Sequence, residues 1–303
     1  MQAKKSFIHP RYLGHWLALG LLWLIVHLPG RMALGRFFGR LLLRLAPYRG
    51  RIIARNLALA FPELSEKARE NLLRDAAENI GVGVIETGMA WFWSERALRR
   101  ISRFSADPEA LKLVQGGTPV VLCGSHNTLL ELGVRLLSFY VPAAGMYRPQ
   151  RDAFFDDMIY RKRRAIARDL VSFRDMRNTL RLLQEGENLW YALDQDMGER
   201  VSVFAPFFGI DVASVDILPQ LHRRTGAQLV PVFMWREADG HYSVRLAAPI
   251  AVEGRDSVAI MGEFNALLEA EIRAHPGQYF WVHRRFKTLP GGGRRYYPRK
   301  DEK

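Results

Sequence analysis

Apolar and polar positions alternate in two different ways along this chain. From Gly14 to Gly30 it reads GHWLALGLLWLIVHLPG, with no formal charge between Trp16 and Leu28. At 1.5 Å per residue a helix over these positions is about 25 Å long, slightly short of a hydrocarbon core of about 30 Å. Trp16 and Trp23, flanked by Lys4, Lys5 and Arg11, suit an interfacial position. No A-x-A-like cleavage site follows. The expectation is an uncleaved N-terminal anchor over residues 1–30, spanning the bilayer or lying deep in its interface; a buried helix fits the same pattern.

Residues 31–55 then interleave Arg36, Arg40, Arg44, Arg49, Arg51 and Arg55 with Phe37, Phe38, Leu41, Leu42, Leu43 and Leu45. This predicts an interfacial amphipathic helix whose arginine stems snorkel. By the positive-inside rule it keeps the body of the protein on the cytoplasmic side. A solvated helix packed on the main domain is the competing reading. Pro62 stops the preceding helix and Ser65 caps a long one predicted to run to about Arg100. Its apolar middle, Ile80 to Trp93, reads as core or as a groove for an acyl chain.

Beyond Pro108 short apolar runs alternate with helical patterns. Strands are predicted at Val120 to Cys123, Ala143 to Tyr147, Leu189 to Leu193, Leu229 to Trp235 and Tyr242 to Leu246, with helices around 128–138, 153–168, 174–184, 214–224 and 257–273. That alternation predicts an α/β fold with a mixed, largely parallel central sheet flanked by helices. The expected organisation is an anchor (1–30) and one large domain (31–303), itself a helical interfacial part (31–107) and an α/β core (108–290).

Composition narrows the partners. Hydrophobic content of 49% against 25% charged residues excludes a disordered chain. The single Cys123, inside a predicted strand, excludes an internal disulfide framework and any multi-cysteine metal site. The net charge of +13 points to an anionic partner. Because the basic residues recur on helices rich in Leu, Trp and Phe, and no zinc-finger or RNP-like motif is present, a membrane surface is favoured and nucleic acid is not.

The chemistry concentrates at strand ends. Gly124-Ser125-His126-Asn127-Thr128-Leu129-Leu130-Glu131 follows the run Val120 to Cys123. On one continuous helix, positions five apart point roughly 140° away from each other. His126 and Glu131 meet only if the histidine lies in the turn and the glutamate on the helix that follows. The expected pair is a general base and the acid that orients it. With no G-x-S-x-G elbow, and with Ser125 adjacent to His126 and so pointing away from it in an extended segment, a covalent acyl-enzyme is not favoured. Arg148, in Met146-Tyr147-Arg148-Pro149, stands at another strand end as an anion clamp or a solvated arginine. In Arg161-Lys162-Arg163-Arg164, helical spacing turns one of the four back toward the sheet. Asp194 and Asp196, in Leu193-Asp194-Gln195-Asp196-Met197-Gly198, end a third strand; without a neighbouring His or third acid they are weighed as positioning residues rather than a metal site. The turn Phe204-Ala205-Pro206-Phe207-Phe208-Gly209 is core or lipid-pocket lining.

Taken in order, Asn56-Leu57-Ala58-Leu59-Ala60-Phe61-Pro62, the His126-to-Glu131 segment, Met146-Tyr147-Arg148-Pro149, Trp190-Tyr191-Ala192 with Asp194-Gln195-Asp196, Ser202 to Gly209 and Trp281-Val282-His283-Arg284-Arg285-Phe286-Lys287-Thr288 resemble the lipid A biosynthesis acyltransferases, within the wider lysophospholipid acyltransferase superfamily. The resemblance implies an inner-membrane enzyme with one N-terminal anchor, its α/β domain on the cytoplasmic face. It implies transfer of a fatty acyl group, without a cofactor, from acyl carrier protein to a hydroxyl on a 3-hydroxyacyl chain of an anionic, Kdo-bearing lipid A precursor. It also implies His126 as base, Glu131 as its acid, and Arg148 and Arg163 binding phosphate or stabilising charge near the site; Asp194 and Asp196 are expected beside the substrate as well. Two other readings stay open: a lysophospholipid or phosphoinositide mannoside as acceptor, and a membrane-binding scaffold without catalysis. The segment Val215 to His222, with Asp216 and Pro219, departs from the family's usual pattern, as does Lys162 before Arg163.

Overall fold

The computed structural model describes residues 7–295 and Tyr297. Five helices come first: α1 (Leu13–His27), α2 (Arg31–Leu45), α3 (Pro47–Ala60), α4 (Glu66–Phe92) and α5 (Glu95–Ile101). Strands and helices then alternate as β1 (Ser102–Ala106), α6 (Pro108–Gln115), β2 (Val120–Gly124), α7 (Leu130–Leu137), β3 (Ala144–Tyr147), α8 (Ala153–Arg164), β4 (Leu170–Ser172), α9 (Met176–Gln184) and β5 (Asn188–Ala192). They continue as β6 (Ser202–Phe207), β7 (Ile210–Val215), α10 (Leu218–Thr225), β8 (Gln228–Arg236), β9 (Tyr242–Leu246) and α11 (Ser257–Ala274). Seven strands form one sheet in the order β1-β9-β8-β2-β5-β3-β4, and β6 with β7 forms a separate hairpin. Only the β8–β9 pair in the large sheet is antiparallel. The expected mixed, largely parallel sheet is therefore the observed one.

Both faces of the sheet are covered, which is why β2 is buried throughout and apolar without alternation. Val121 and Cys123 face a core shared with α3, α9, α10, α11 and the hairpin. Val120 and Leu122 face a second core with α4, α6 and α7. The two apolar stretches weighed as acyl grooves are in these cores: Ile85 and Met89 in one, Phe207 and Phe208 in the other.

The N-terminal expectations need correction. Helix α1 has 15 residues, about 22 Å, and no helix of the described residues is long and apolar enough to cross a membrane. Leu28-Pro29-Gly30 ends it: Leu28 is extended and Gly30 takes a left-handed φ of 75°. Lys4 and Lys5 lie outside the described residues. The arginine-rich stretch is two helices, broken where Ala46 leaves the helical region ahead of Pro47. Helix α2 packs on α4 through glycines: a Cβ on Gly39 would sit 2.1 Å from the Ala77 carbonyl oxygen, and one on Gly81 2.1 Å from that of Gly35. This close crossing fits the packed-helix alternative, yet the opposite side stays apolar, with Leu17, Leu21 and Trp23 of α1 and Phe37, Phe38 and Leu45 of α2 exposed. The long helix capped by Ser65 ends at Phe92 because Ser94 caps a new one, accepting from the Ala97 N–H as Ser65 does from Ala68.

A catalytic-type histidine at the end of the central strands

Strands β2 and β5 are parallel neighbours with Gly124 paired to Ala192, so the chain beyond each emerges side by side. Ligands of open α/β sheets gather at such carboxyl ends. Gly124 has no room for a side chain, since a Cβ would meet the Trp190 indole nitrogen at 2.7 Å. The turn after it is pinned on several sides. Leu193 donates its N–H to the Gly124 carbonyl, Thr128 to Gln278, and Phe280 to His126 itself. The Asn127 amide reaches the Met234 carbonyl at 2.7 Å.

His126 meets Asp194 within this frame. Asp194 Oδ1 is 2.7 Å from Nδ1 of the ring, and both carboxylate oxygens lie 3.0 Å from the His126 backbone N–H. A carboxylate only accepts, so Nδ1 carries the proton; in the neutral ring that tautomer leaves the lone pair on Nε2. Burial alone would raise the Asp194 carboxyl, but the charge and hydrogen bonds of His126, with His283 behind it, hold it well below the usual carboxylate range. Gln195 Nε2 lies 3.0 Å from His126 Nε2 and 3.1 Å from His283 Nε2, bridging two rings whose centroids are 5.2 Å apart. Burial, opposed by Asp194, pulls His283 down to about 4, so it is neutral at physiological pH.

The expected partnership of His126 with Glu131 is thus replaced. Glu131, in the first turn of α7, binds Arg163 in the last turn of α8, through Nε at 3.0 Å and through a terminal guanidinium nitrogen. The physical reason is topological: the loop 125–129 turns His126 toward β5, away from α7. Asp194, expected at the substrate, is fully buried beneath the imidazole. Asp196 accepts from the Thr288 N–H and hydroxyl at 2.7 and 2.8 Å and from the Gly198 N–H, fixing the C-terminal loop. The two acids point apart, and the described residues contain no group of three His, Cys, Asp or Glu arranged around a metal. Of the basic quartet, Arg163 does turn toward the sheet, whereas Lys162 reaches the Trp91 carbonyl and Arg161 pairs with Asp157 on the surface. Arg148 is exposed, with its guanidinium over Phe173 at 5.4 Å. Gln195 and His283 escaped assignment from the sequence, although both lie in motifs singled out there.

Three cavities meet at the site. The central cleft, about 830 Å³, is lined by His126, Gln195 and His283 and also by Arg148 and Arg163. A small apolar cavity of about 40 Å³ between α7, α8 and β3 adjoins it, sharing Leu130, Met146, Arg163 and Trp190. A polar cavity of about 430 Å³ also adjoins it, sharing Gln195 and His283.

A histidine–aspartate pair at a cleft joined to an apolar cavity is an arrangement able to move a proton beside an apolar substrate. The comparisons agree: the profile of the bacterial lipid A biosynthesis acyltransferases matches residues 1–288, and the chain belongs to that family. It is 36% identical to the lipid A biosynthesis lauroyltransferase of Escherichia coli (strain K12) over 95% of both chains. It is 34% identical to the palmitoleoyltransferase of the same organism, again over 95% of both. A lipid A biosynthesis acyltransferase of Haemophilus influenzae is 32% identical over the same shares. The protein is an acyltransferase.

Proposed function

We propose that this acyltransferase moves a fatty acyl group from the thioester of acyl carrier protein to a hydroxyl of a 3-hydroxyacyl chain on a Kdo-bearing lipid A precursor, at the cytoplasmic face of the inner membrane. His126 Nε2 takes the proton of the acceptor hydroxyl while its oxygen attacks the thioester carbonyl. The C–S bond then breaks and the departing thiolate recovers that proton from the imidazolium. Asp194 holds the Nδ1–H tautomer and stabilises the charge the ring gains. The acceptor hydroxyl takes the place on Nε2 that the Gln195 amide holds. Arg163, kept in place by Glu131, is the cation next to the developing oxyanion, with Arg148 as a second anion contact at the rim. Transfer is direct: Cys123 is buried with its thiol pushed far up, and Ser125 is buried with no hydrogen bond to either histidine among the described residues.

The observation that carries this reading is the His126–Asp194 pair in a cleft that adjoins an apolar cavity. Names of the relatives support lipid A as acceptor. The exposed apolar surface of α1 and α2 supports docking in the plane of the membrane surface rather than crossing it. Incubating the enzyme with a lipid A precursor, a lysophospholipid and a mixed pool of acyl carrier protein thioesters, then reading the lipids by mass spectrometry, tests it. One acyl addition to the lipid A precursor alone is expected; acylation of the lysophospholipid instead, or of neither, overturns it.

A further inference from the structure

The amide of Gln195 covers the nitrogen that is to act as base. Its side-chain nitrogen lies 3.0 Å from Nε2 of His126 and 3.1 Å from Nε2 of His283. Asp194 decides which end of the amide this is. With the proton on Nδ1, the neutral His126 ring offers only a lone pair at Nε2, and an amide oxygen placed there would meet it lone pair to lone pair. The NH₂ end therefore faces both rings, with one hydrogen for each. His283, pulled down to about 4 by burial, is neutral at physiological pH and accepts the second hydrogen at its own Nε2. Both neighbours of Gln195 are tied down as well, Asp194 to His126 and Asp196 to Thr288 and Gly198. The amide is thus held over the base even though both line the open cleft.

We infer that Gln195, anchored by His283, is a specificity-determining residue that shields His126 from water until the acceptor hydroxyl displaces it. The inference rests on the acyl-transfer reading above and adds how the thioester survives while no acceptor is bound. A histidine–aspartate pair in a cleft open to solvent activates water as it does an alcohol. Water then adds to the thioester carbonyl, the C–S bond breaks, and fatty acid and free thiol leave, the proton passing from water through Nε2 to the sulfur. Water brings only its own hydrogen bond to Nε2, and so gains little by exchanging with an amide already tethered at His283. A lipid acceptor bound elsewhere in the cleft has further binding energy to spend on moving the amide aside. The displaced amide still keeps His283 as an acceptor, which leaves one N–H to be satisfied rather than two.

The test compares wild type with Gln195→Met, similar in length but without a donor, and with His283→Leu, which removes the second anchor. Thermal melting confirms that each is folded. Release of free thiol from a mixed pool of acyl carrier protein thioesters is followed without acceptor, and acyl transfer is followed with a lipid A precursor. Gln195→Met is expected to raise the ratio of hydrolysis to transfer by about fivefold or more, and His283→Leu by a smaller factor. A site merely loosened by substitution loses both rates together and keeps their ratio. An unchanged or lower ratio in Gln195→Met therefore overturns the inference, and no rise in His283→Leu overturns the anchor. Diethyl pyrocarbonate, which acylates an imidazole through its lone-pair nitrogen, reads the shield without any acyl transfer. Labelling of His126, measured by peptide mapping and mass spectrometry against exposed His27 of α1, is expected to run about fivefold faster in Gln195→Met; equal rates overturn the inference. If no thioester is consumed with or without acceptor, the acyl-transfer reading has failed, and the labelling of His126 decides the shield by itself.

Discussion

Asp194 holds His126 twice, by the ring at Nδ1 and by the backbone N–H, so one buried carboxylate fixes both where the residue sits and which tautomer it adopts. Replacing it with asparagine keeps the volume but presents an amide that can donate to Nδ1 and turn Nε2 into the protonated nitrogen. Asp194→Asn is expected to lower kcat by about 10³-fold or more while the fold and the acceptor KM persist. Turnover within tenfold of wild type removes Asp194 from the base.

Glu131 and Arg163 act as one unit. Arg163→Ala and Glu131→Gln are each expected to cost about 10²-fold in kcat/KM, and the double variant little more than the worse single. Arg164→Ala, on the exposed side of the same helix, leaves activity near wild type. Additive losses in the double-mutant cycle, or equal losses at Arg163 and Arg164, count against the pair.

Acid should weaken the fold through His283. Its folded value of about 4 lies below the ordinary 6.5, so between these two pH values the unfolded chain binds the extra proton and stability declines as pH falls. Asp194, held low, keeps its contribution across that window and loses it only further down. Denaturant titrations at pH 7, 6, 5 and 4.5 are expected to show a loss of up to about 3 kcal/mol, and a shallower slope in His283→Gln. An identical slope in the variant contradicts the assignment.

Chain length is expected to follow the depth of the apolar cavity. Ala143 lines it together with Leu137, Ser138 and Val141, on the side away from Glu131 and Arg163. Ala143→Leu is expected to shift the preferred donor toward chains about two carbons shorter, each lost methylene being worth about 0.8 kcal/mol. Product distributions from a mixed thioester pool report this directly; an unaltered distribution at reduced rate places the chain elsewhere.

Membrane docking is expected to depend on Leu17, Leu21 and Phe37, which are 64%, 57% and 54% exposed. Changing all three to glutamate should lower partition onto vesicles containing anionic phospholipid by about tenfold or more, since each contributes about 1.5–3 kcal/mol when buried. Cosedimentation measures it, and unchanged binding assigns the docking to another face.

The parts legible in the sequence were those set by local pattern. β2, β5 and β8 are buried on both faces and read as unbroken apolar runs. β1, with its alternating Ser-Arg-Phe-Ser-Ala, and three-residue β4 gave no such run, and the β6–β7 hairpin was hidden in what reads as an apolar turn followed by a helix. Pro219, which seemed to disturb that helix, sits in its first turn, where no hydrogen bond is lost. His126 and Asp194 were both visible as strand-end residues. Their partnership was not, because it spans 68 positions and depends on β2 lying beside β5. Glu131 was the nearer acid in sequence, and proximity along the chain misdirected the assignment.

Helix α8 joins two regions that otherwise stand apart. Its first turn carries Phe154, packed against Phe7 and Trp16 at the start of the chain, and its last turn carries Arg163 beside Glu131. Phe154 and Arg163, with eight residues between them, lie about 13 Å apart along this rigid rod. Whatever tilts α1 at a lipid surface therefore acts on a lever whose far end is the arginine of the reaction cleft. On the function proposed above, seating on the bilayer and alignment of that guanidinium become one mechanical event.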